Sequence, residues 1–389
     1  MKKKILFVYY EMTIGGSTTS LLSLLNELDF EKYDVDLLLY QNEGELLPLI
    51  PEKVNLLEQA SVPQSKIKKM IKSVCNGTLL RAYINRVRFA GNAGNWTQSM
   101  AYCQAGYSRK IEEEYDVVIG YMELWADVFA NLKIKAKRKI SWIHTDYQKA
   151  DLVPQIDRCM LSKSTYIANV SQECCRSFKN LFPELAERVV FVPNILSASI
   201  LRKRSKEDFP SLELNPSMLN LLTVCRLDNA SKAIDRGINI MKKLTDEGYA
   251  LRWYIIGDGV DRLQIEEQIK QLQLMEQVVL LGAKTNPYPY YQLFDAFMLI
   301  SRFEGKPMSV TEAQILGLPV LVTNYNSAKE QVESGVDGII CENNEEAIEG
   351  MLRSLLNNPI LLEKMRTNVK EKKYSNEKDI EIIHGLIDN

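Results

Sequence analysis

The sequence predicts an α/β protein of two domains, each a parallel sheet wound on both sides by helices, and three observations carry that prediction. At 389 residues the chain exceeds what one hydrophobic core ordinarily organises and suits two domains of common size. In both halves short apolar runs alternate with helical stretches, as the strands and crossover helices of a parallel sheet do. Between the halves the pattern lapses after Pro193-Asn194 into a polar, charged stretch that carries Pro210 and ends at Pro216, and then it restarts.

The first half opens with Ile5-Leu6-Phe7-Val8-Tyr9 as a strand, a loop holding Gly15-Gly16, and a helix with Ser17 as its N-cap and Leu21, Leu22, Leu24, Leu25 and Leu28 along it. Further strands are expected at Val35–Tyr40, Val54–Leu57, Val117–Gly120, Ile140–Ile143, Tyr166–Val170 and Val189–Val192. In the second half they are expected at Leu219–Cys225, Leu251–Ile256, Val278–Leu281, Ala296–Ile300, Val320–Thr323 and Gly338–Cys341. Helices fall between these, at about 232–245, 260–273, 307–316 and 344–356. The expected domains are 1–195 and 218–372, with a linker at 196–217 and a C-terminal helix over 373–389 packing back on the first domain. Doubly wound sheets bind ligands beyond the carboxyl ends of their strands, so a cleft flanked by the two domains is expected.

Composition excludes several classes. With 46% hydrophobic and 25% charged residues, 19 Gly and 13 Pro, the chain is of soluble globular type, not disordered or fibrous. No apolar run approaches the roughly 20 residues that span a bilayer. The start Met1-Lys2-Lys3-Lys4 leads into a strand-like run without a small-residue cleavage site, so a cytoplasmic protein is expected. The seven cysteines, including the pair Cys174-Cys175, lack metal-ligand spacing and fit buried thiols in a reducing compartment.

The segment Ser301-Arg302-Phe303-Glu304-Gly305-Lys306-Pro307-Met308-Ser309-Val310-Thr311-Glu312 follows a strand and opens a helix at Pro307. Gly305 lets backbone approach a ligand, helix-start amides can bond a hydroxylated or anionic group, and Glu304 and Glu312 are two hydroxyl acceptors on either side. The pair of glutamates carries little by itself; its surroundings carry more. Glu304 and Glu312 followed by Ala313-Gln314-Ile315-Leu316-Gly317-Leu318-Pro319-Val320 resemble the signature of glycosyltransferase family 4, a retaining family of GT-B fold whose members include enzymes of bacterial polysaccharide biosynthesis. Cys225-Arg226-Leu227-Asp228 and then Lys232 resemble that family's arginine and lysine, which hold the donor diphosphate. Ile256-Gly257-Asp258-Gly259, Leu281-Gly282, and Glu330 ahead of Gly335 and Gly338 keep the family's order, so the resemblance covers most of 219–340. Ala233 stands where a glycine is common, Gln314 and Ile315 replace small and methionine residues, and the gap from Arg226 to Lys232 is one residue longer than usual.

The resemblance implies two Rossmann-like domains facing across a cleft and a metal-independent hexosyltransferase with no cofactor. Its donor would be a UDP- or GDP-linked sugar and its acceptor a glycan, lipid-linked in surface polysaccharide synthesis. It gives Arg226 and Lys232 the diphosphate, Glu312 the ribose hydroxyls, and Glu304 the donor sugar together with the backbone of Gly305, Lys306, Pro307 and Met308. Gly15 and Gly16 resemble the family's glycine pair near the diphosphate, although a bare glycine pair is more often a plain tight turn. His144, in Ser141-Trp142-Ile143-His144-Thr145-Asp146-Tyr147, ends a strand where the family places a histidine on the donor sugar; the chain's other histidine is His384. A non-catalytic GT-B partner subunit and a sugar-nucleotide epimerase remain as alternative readings of the same residues.

Asp34-Val35-Asp36 has the spacing by which another class of glycosyltransferase holds a metal, but at the start of a strand it reads as a solvated strand end, and no metal is expected. Residues 61–111 carry nine Lys or Arg and no Asp or Glu, in a chain of net charge −2. Within them Ile67, Met70, Ile71 and Val74 recur at helical spacing among Lys66, Lys68, Lys69 and Lys72, and Leu79, Leu80, Tyr83, Ile84 and Val87 continue among Arg81, Arg86 and Arg88. A core-packed helix with a solvated face explains the periodicity. The absence of acids favours contact with an anionic membrane surface, hence a peripheral protein on the inner face of the cell membrane. Nucleic acid is not expected, since no nucleic-acid motif or strongly basic domain accompanies the segment.

Overall fold

Ile5, Leu6, Phe7 and Val8 are consecutive and all fully buried, as are Leu37, Leu38 and Leu39. Unbroken apolar runs of this kind belong to strands covered on both faces, which parallel sheets require. The computed structural model describes residues 2–62, 65–92, 94–207, 211–374 and 376–389. Among them, strands β1 (Lys3–Tyr9), β2 (Tyr33–Leu39), β3 (Asn55–Leu56), β4 (Glu114–Gly120), β5 (Lys135–Ile143), β6 (Tyr166–Asn169) and β7 (Val189–Phe191) form one sheet. Its order is β3-β2-β1-β4-β5-β6-β7 and every pairing is parallel. A second parallel sheet has the order β10-β9-β8-β11-β12-β13, from β8 (Leu219–Val224), β9 (Leu251–Ile256), β10 (Val278–Gly282), β11 (Ala296–Leu299), β12 (Val320–Thr323) and β13 (Gly338–Cys341).

Both sheets are doubly wound, the fold class that the sequence predicts. Chain order reverses between β1 and β4 in the first and between β8 and β11 in the second. At such a switch point the loops leaving the two neighbouring strands diverge to opposite faces and leave a crevice beyond their carboxyl ends. Gly15-Gly16 and Glu123 follow β1 and β4; Arg226 and Glu304 follow β8 and β11.

The chain divides into two compact units. One comprises Met1–Thr13, Ser17–Ile195 and Glu377–Asn389; the other comprises Ile14–Gly16 and Leu196–Asn376. In the first, the terminal helix Ile380–Asp388 buries Ile380, Ile383, Leu386 and Ile387 in the cluster that holds Ile5 and Phe7. Arg138 donates to the carbonyls of Leu386 and Ile387 at 3.1 and 2.6 Å, covering acceptors that a helix end otherwise leaves open. In the second unit a helix, Ala198–Arg204, occupies part of the stretch read as linker.

Three local expectations are corrected. Helix α1 (Gly16–Glu27) begins one residue before Ser17, so Ser17 is not its cap; the Ser17 hydroxyl lies 2.7 Å from the Tyr9 phenol. Asp36 is not solvated: it is 3% exposed and accepts from Asn55 Nδ2 at 2.7 Å and the Tyr115 hydroxyl at 2.8 Å, while Asp34 is exposed. Pro307 precedes its helix, Met308–Ile315, with an extended backbone, and does not occupy the first turn. The basic segment breaks at Gly77, which takes φ +72°, and forms helices α2 (Lys66–Cys75) and α3 (Thr78–Arg88) followed by α4 (Gly94–Tyr107). Among the described residues no helix is long and apolar enough to cross a membrane, and no cluster of three or more His, Cys, Asp or Glu is placed to hold a metal.

Candidate active site

The second unit's candidate residues converge from two loops at the switch point. Leaving β8, Cys225-Arg226-Leu227 runs against the loop Gly257-Asp258-Gly259, with the Leu227 N–H donating to the Asp258 carbonyl at 2.9 Å. Both glycines are demanded by this approach. A Cβ on Gly257 would fall 1.8 Å from the Cys225 carbonyl oxygen, and one on Gly259 would fall 2.3 Å from that of Leu227. A one-turn helix, Asn229–Lys232, follows, capped by Asp228, whose carboxylate accepts from the Ala230 N–H and the Ser231 hydroxyl at 3.0 Å each. Ala233 then takes a left-handed conformation, φ 56° and ψ 38°, and turns the chain into the helix Ile234–Asp246. The alanine-for-glycine departure thus falls where glycine has a conformational reason to be common.

Leaving β11, the loop at 301–307 is stitched to this turn. The Arg302 N–H donates to the Ser231 carbonyl at 2.7 Å, and the Arg302 guanidinium bonds the Asn229 carbonyl. Lys232 and Glu304 meet as a result: Nζ lies 2.5 Å from Oε1, and both side chains are largely buried, 16% and 10% exposed. The same oxygen accepts from the Ser301 hydroxyl at 2.6 Å, which fixes the carboxylate's direction. Arg226 is different. Its side chain is 73% exposed and its guanidinium stands 3.9 Å from the Asp228 carboxylate, a distance beyond hydrogen bonding, so it can turn to a ligand.

Beyond Gly305, Lys306 and Pro307, Glu312 sits in the second turn of its helix. Its carboxylate is buried, and it accepts from the hydroxyls of Tyr291 at 3.2 Å and Tyr288 at 3.3 Å. Burial raises its pKa to about 7, against the two tyrosine hydrogen bonds that lower it. Gln314 is used as well: its amide donates to the Gln331 carbonyl at 2.8 Å, and Gln331 in turn donates to the Pro307 carbonyl at 3.0 Å and to Thr311, tying the helix start in place. Gly16 groups with this unit, and a Cβ on it would lie 3.3 Å from Met308 Cγ; Gly15 beside it is exposed.

In the first unit His144 follows β5, with its ring 4.9 Å from that of Tyr121 and stacked at 6.2 Å on Trp142. Burial pushes its pKa down to about 3, outweighing a backbone hydrogen bond to Tyr121, so the imidazole is neutral at physiological pH. Its Nε2 is buried and has no partner among the described residues. Sequence reading missed the neighbour of this group. Glu123 Oε2 accepts from the His144 backbone N–H at 3.0 Å, and burial raises its carboxyl. The next residue, Leu124, holds φ 71° and ψ −125°, a conformation that branched side chains avoid and that gathers at functional sites. Tyr288 and Tyr291, which position Glu312, were missed too, and Ser301, the first residue of the segment read as the site, was given no role there although it positions Glu304.

Comparison with known proteins fits this geometry. Residues 204–372 match the model of the family described as Glycosyl transferases group 1. The structure of HepE from Anabaena in complex with UDP and glucose superposes with a TM-score of 0.71, covering all of both chains at 14% identity. The fold is GT-B. The family match falls inside the second unit, and relatives by sequence point the same way. The Vi polysaccharide biosynthesis protein VipC/TviE of Salmonella typhi is 33% identical over 93 residues, 24% of this chain and 16% of that protein. The putative glycosyltransferase EpsF of Bacillus subtilis is 22% identical over 346 residues, 86% of this chain and 82% of its own length.

Proposed function

We propose that this chain is a retaining glycosyltransferase. It moves a hexosyl group from a UDP- or GDP-linked donor to a lipid-linked glycan acceptor in surface polysaccharide synthesis, without metal or cofactor. The observation that carries the reading is the pairing of Lys232 with Glu304 at the switch point, beside the exposed Arg226. Similarity to VipC/TviE, a Vi polysaccharide biosynthesis protein, supports the setting, similarity to the putative glycosyltransferase EpsF supports the reaction class, and the UDP and glucose of the HepE complex support the donor class.

Cleaving the sugar–phosphate bond leaves negative charge on the departing diphosphate, and fixed cations in a water-poor site stabilise that charge as it develops. Lys232, held by Glu304, is the fixed cation here and Arg226 the one that turns to the ligand, with Gly15 and Gly16 admitting the diphosphate close to backbone. Glu304, held by Ser301 and Lys232, accepts from donor sugar hydroxyls, with Gly305, Lys306, Pro307 and Met308 lining the same approach. Glu312 accepts from the ribose hydroxyls. A neutral His144 serves the donor sugar as a hydrogen-bond partner, not as a proton source, and Glu123 sets its backbone. The acceptor hydroxyl attacks from the face the diphosphate leaves, which keeps the anomeric configuration. Anionic membrane lipid contacts residues 61–111 and brings the enzyme to its acceptor on the inner face of the cell membrane.

A thermal-shift screen against UDP- and GDP-sugars tests the donor half of the reading. At least one should raise the melting temperature in the wild type and not in Arg226→Ala. A chain that responds to none of them sinks the proposal. Conversion of a donor to another sugar nucleotide with no acceptor present would turn the reading to an epimerase.

A further inference from the structure

The hairpin of α2 and α3 is amphipathic in the wrong sense for a helix pair packed on a protein. Ile67, Met70, Ile71 and Val74 form a stripe along α2, and each is more than half exposed. Leu80, Tyr83, Ile84 and Val87 form a stripe along α3, again each more than half exposed. The buried residues of the two helices are instead Ser73 and Ala82. An ordinary surface helix turns its apolar stripe to the core. Single exposed apolar residues are normal on a soluble protein, but a contiguous set on one hairpin marks an interaction surface.

Polar and cation–ring contacts hold the hairpin to the unit. Asn85 Nδ2 donates to the Ser99 hydroxyl of α4 at 3.3 Å, and Gly106 of α4 leaves room for Asn76, whose Nδ2 would lie 2.5 Å from a Cβ there. The Lys69 ammonium lies 5.4 Å from the centre of the Tyr107 ring. The Arg81 guanidinium stacks 4.4 Å over Tyr102 and donates to the Ile156 carbonyl at 3.0 Å. The inward face is therefore committed to α4 through small and polar groups, and the apolar face remains outward.

We propose that this hairpin inserts into the headgroup and acyl boundary of an anionic bilayer, burying the stripe Ile67–Val74 and Leu80–Val87 while Lys66, Lys68, Lys72, Arg86 and Arg88 reach lipid phosphates. This deepens the membrane contact of the proposed function: the attachment is hydrophobic insertion guided by charge, not adsorption by charge alone. A basic polar face with large apolar side chains opposite it marks helices that lie in a membrane interface. Tyr83 suits that depth, since its ring is apolar and its hydroxyl polar, and the lysine stems can run along the apolar surface to the headgroups. A second copy of the chain is the poorer occupant. Residues 61–111 hold nine cations and no acid, so two such faces repel, whereas anionic lipid complements them.

Flotation of the full chain with vesicles of phosphatidylcholine alone or mixed with phosphatidylglycerol tests this. The wild type should bind the mixed vesicles. Ile71→Ser, Ile84→Ser and Val87→Ser combined, which keeps every charge and alters exposed positions only, should weaken binding at least about tenfold. Changing Lys66, Lys68, Lys69 and Lys72 to Gln should weaken it too, and the weakening should shrink at high salt. Tryptophan emission from Tyr83→Trp should shift to the blue on vesicles and be quenched by lipids brominated on the acyl chain. Binding unaffected by the triple serine variant would overturn the proposal. So would a solution dimer that this variant dissociates, which would make the surface an interface of copies. Transfer to a soluble acceptor should survive in both variants. If the wild type binds vesicles yet transfers to no acceptor, the transferase reading fails and the insertion stands.

Discussion

Replacing Glu312 with glutamine should make the protein more stable at alkaline pH and cost it the donor. Burial holds the Glu312 carboxyl at about 7, against an ordinary value of 4.5. That gap amounts to about 3 kcal/mol of preference for the neutral form in the folded chain. A pKa raised by folding means that the folded state keeps a proton which the unfolded chain has released. Stability from this group is therefore full below about pH 4.5 and is lost as pH rises toward and past 7. Glutamine has nothing to titrate, so the stability of Glu312→Gln minus that of wild type should grow with pH. It should grow by about 1 kcal/mol from pH 4.5 to 5.5, and by about 3 kcal/mol from pH 4.5 to 8. Because only the change with pH is read, any constant difference from rearranged bonds to Tyr288 and Tyr291 cancels. Urea titrations of both proteins at those three pH values, followed by far-UV circular dichroism, measure it. A difference that is flat in pH, or that shrinks as pH rises, would refute the claim that Glu312 is buried at a cost. Donor binding, if it uses the ionised carboxylate, should also weaken below about pH 7 in the wild type.

Three further outcomes follow from particular contacts. Lys232→Ala and Glu304→Ala should each cost about 3 kcal/mol, since each strands a largely buried charge, while the double variant should cost at least about 1 kcal/mol less than their sum; additive losses in urea unfolding would mean that the pair is not coupled. Asp36→Ala should destabilise by about 2 kcal/mol by leaving Asn55 and Tyr115 unpaired, and manganese should not raise the melting temperature of the wild type, whereas a metal-dependent rise abolished by the variant would restore Asp34 and Asp36 as ligands. Ala233→Gly should stabilise by about 0.5 to 1 kcal/mol by relieving the left-handed alanine, and a loss would place the strain elsewhere.

What the sequence made legible was set by local chemistry. Leu251–Ile256, Val320–Thr323 and Gly338–Cys341 are strands at the residues expected, because each is written as a short run rich in apolar residues between polar stretches. The loops holding Arg226 and Glu304 were legible for the same reason, as they begin where those runs stop. Contacts made through the fold were not. Asp36 looks like a solvated aspartate until Asn55 and Tyr115, 19 and 79 residues away, are brought to it. Tyr288 and Tyr291 reach Glu312 across 24 and 21 residues. Ser17 has the chemistry of a helix cap, but its hydroxyl is taken by Tyr9. Leu124 carries a backbone conformation that its residue type disfavours, so no sequence signal points to it or to Glu123. The hairpin's periodicity was visible, and Gly77 could have been read as its break, but which face looks outward is decided by α4.

On the function proposed above, this chain alone transfers a sugar with its anomeric configuration kept, using Arg226 and Lys232 in place of a metal. Nuclear magnetic resonance of the product formed by the purified chain, with a nucleotide-sugar donor, an acceptor glycan and a chelator present, tests it most directly. The product should keep the donor's anomeric configuration, form equally well with and without chelator, and be lost in Arg226→Ala. An inverted product, a reaction stopped by the chelator, or no transfer unless another protein is added would contradict it.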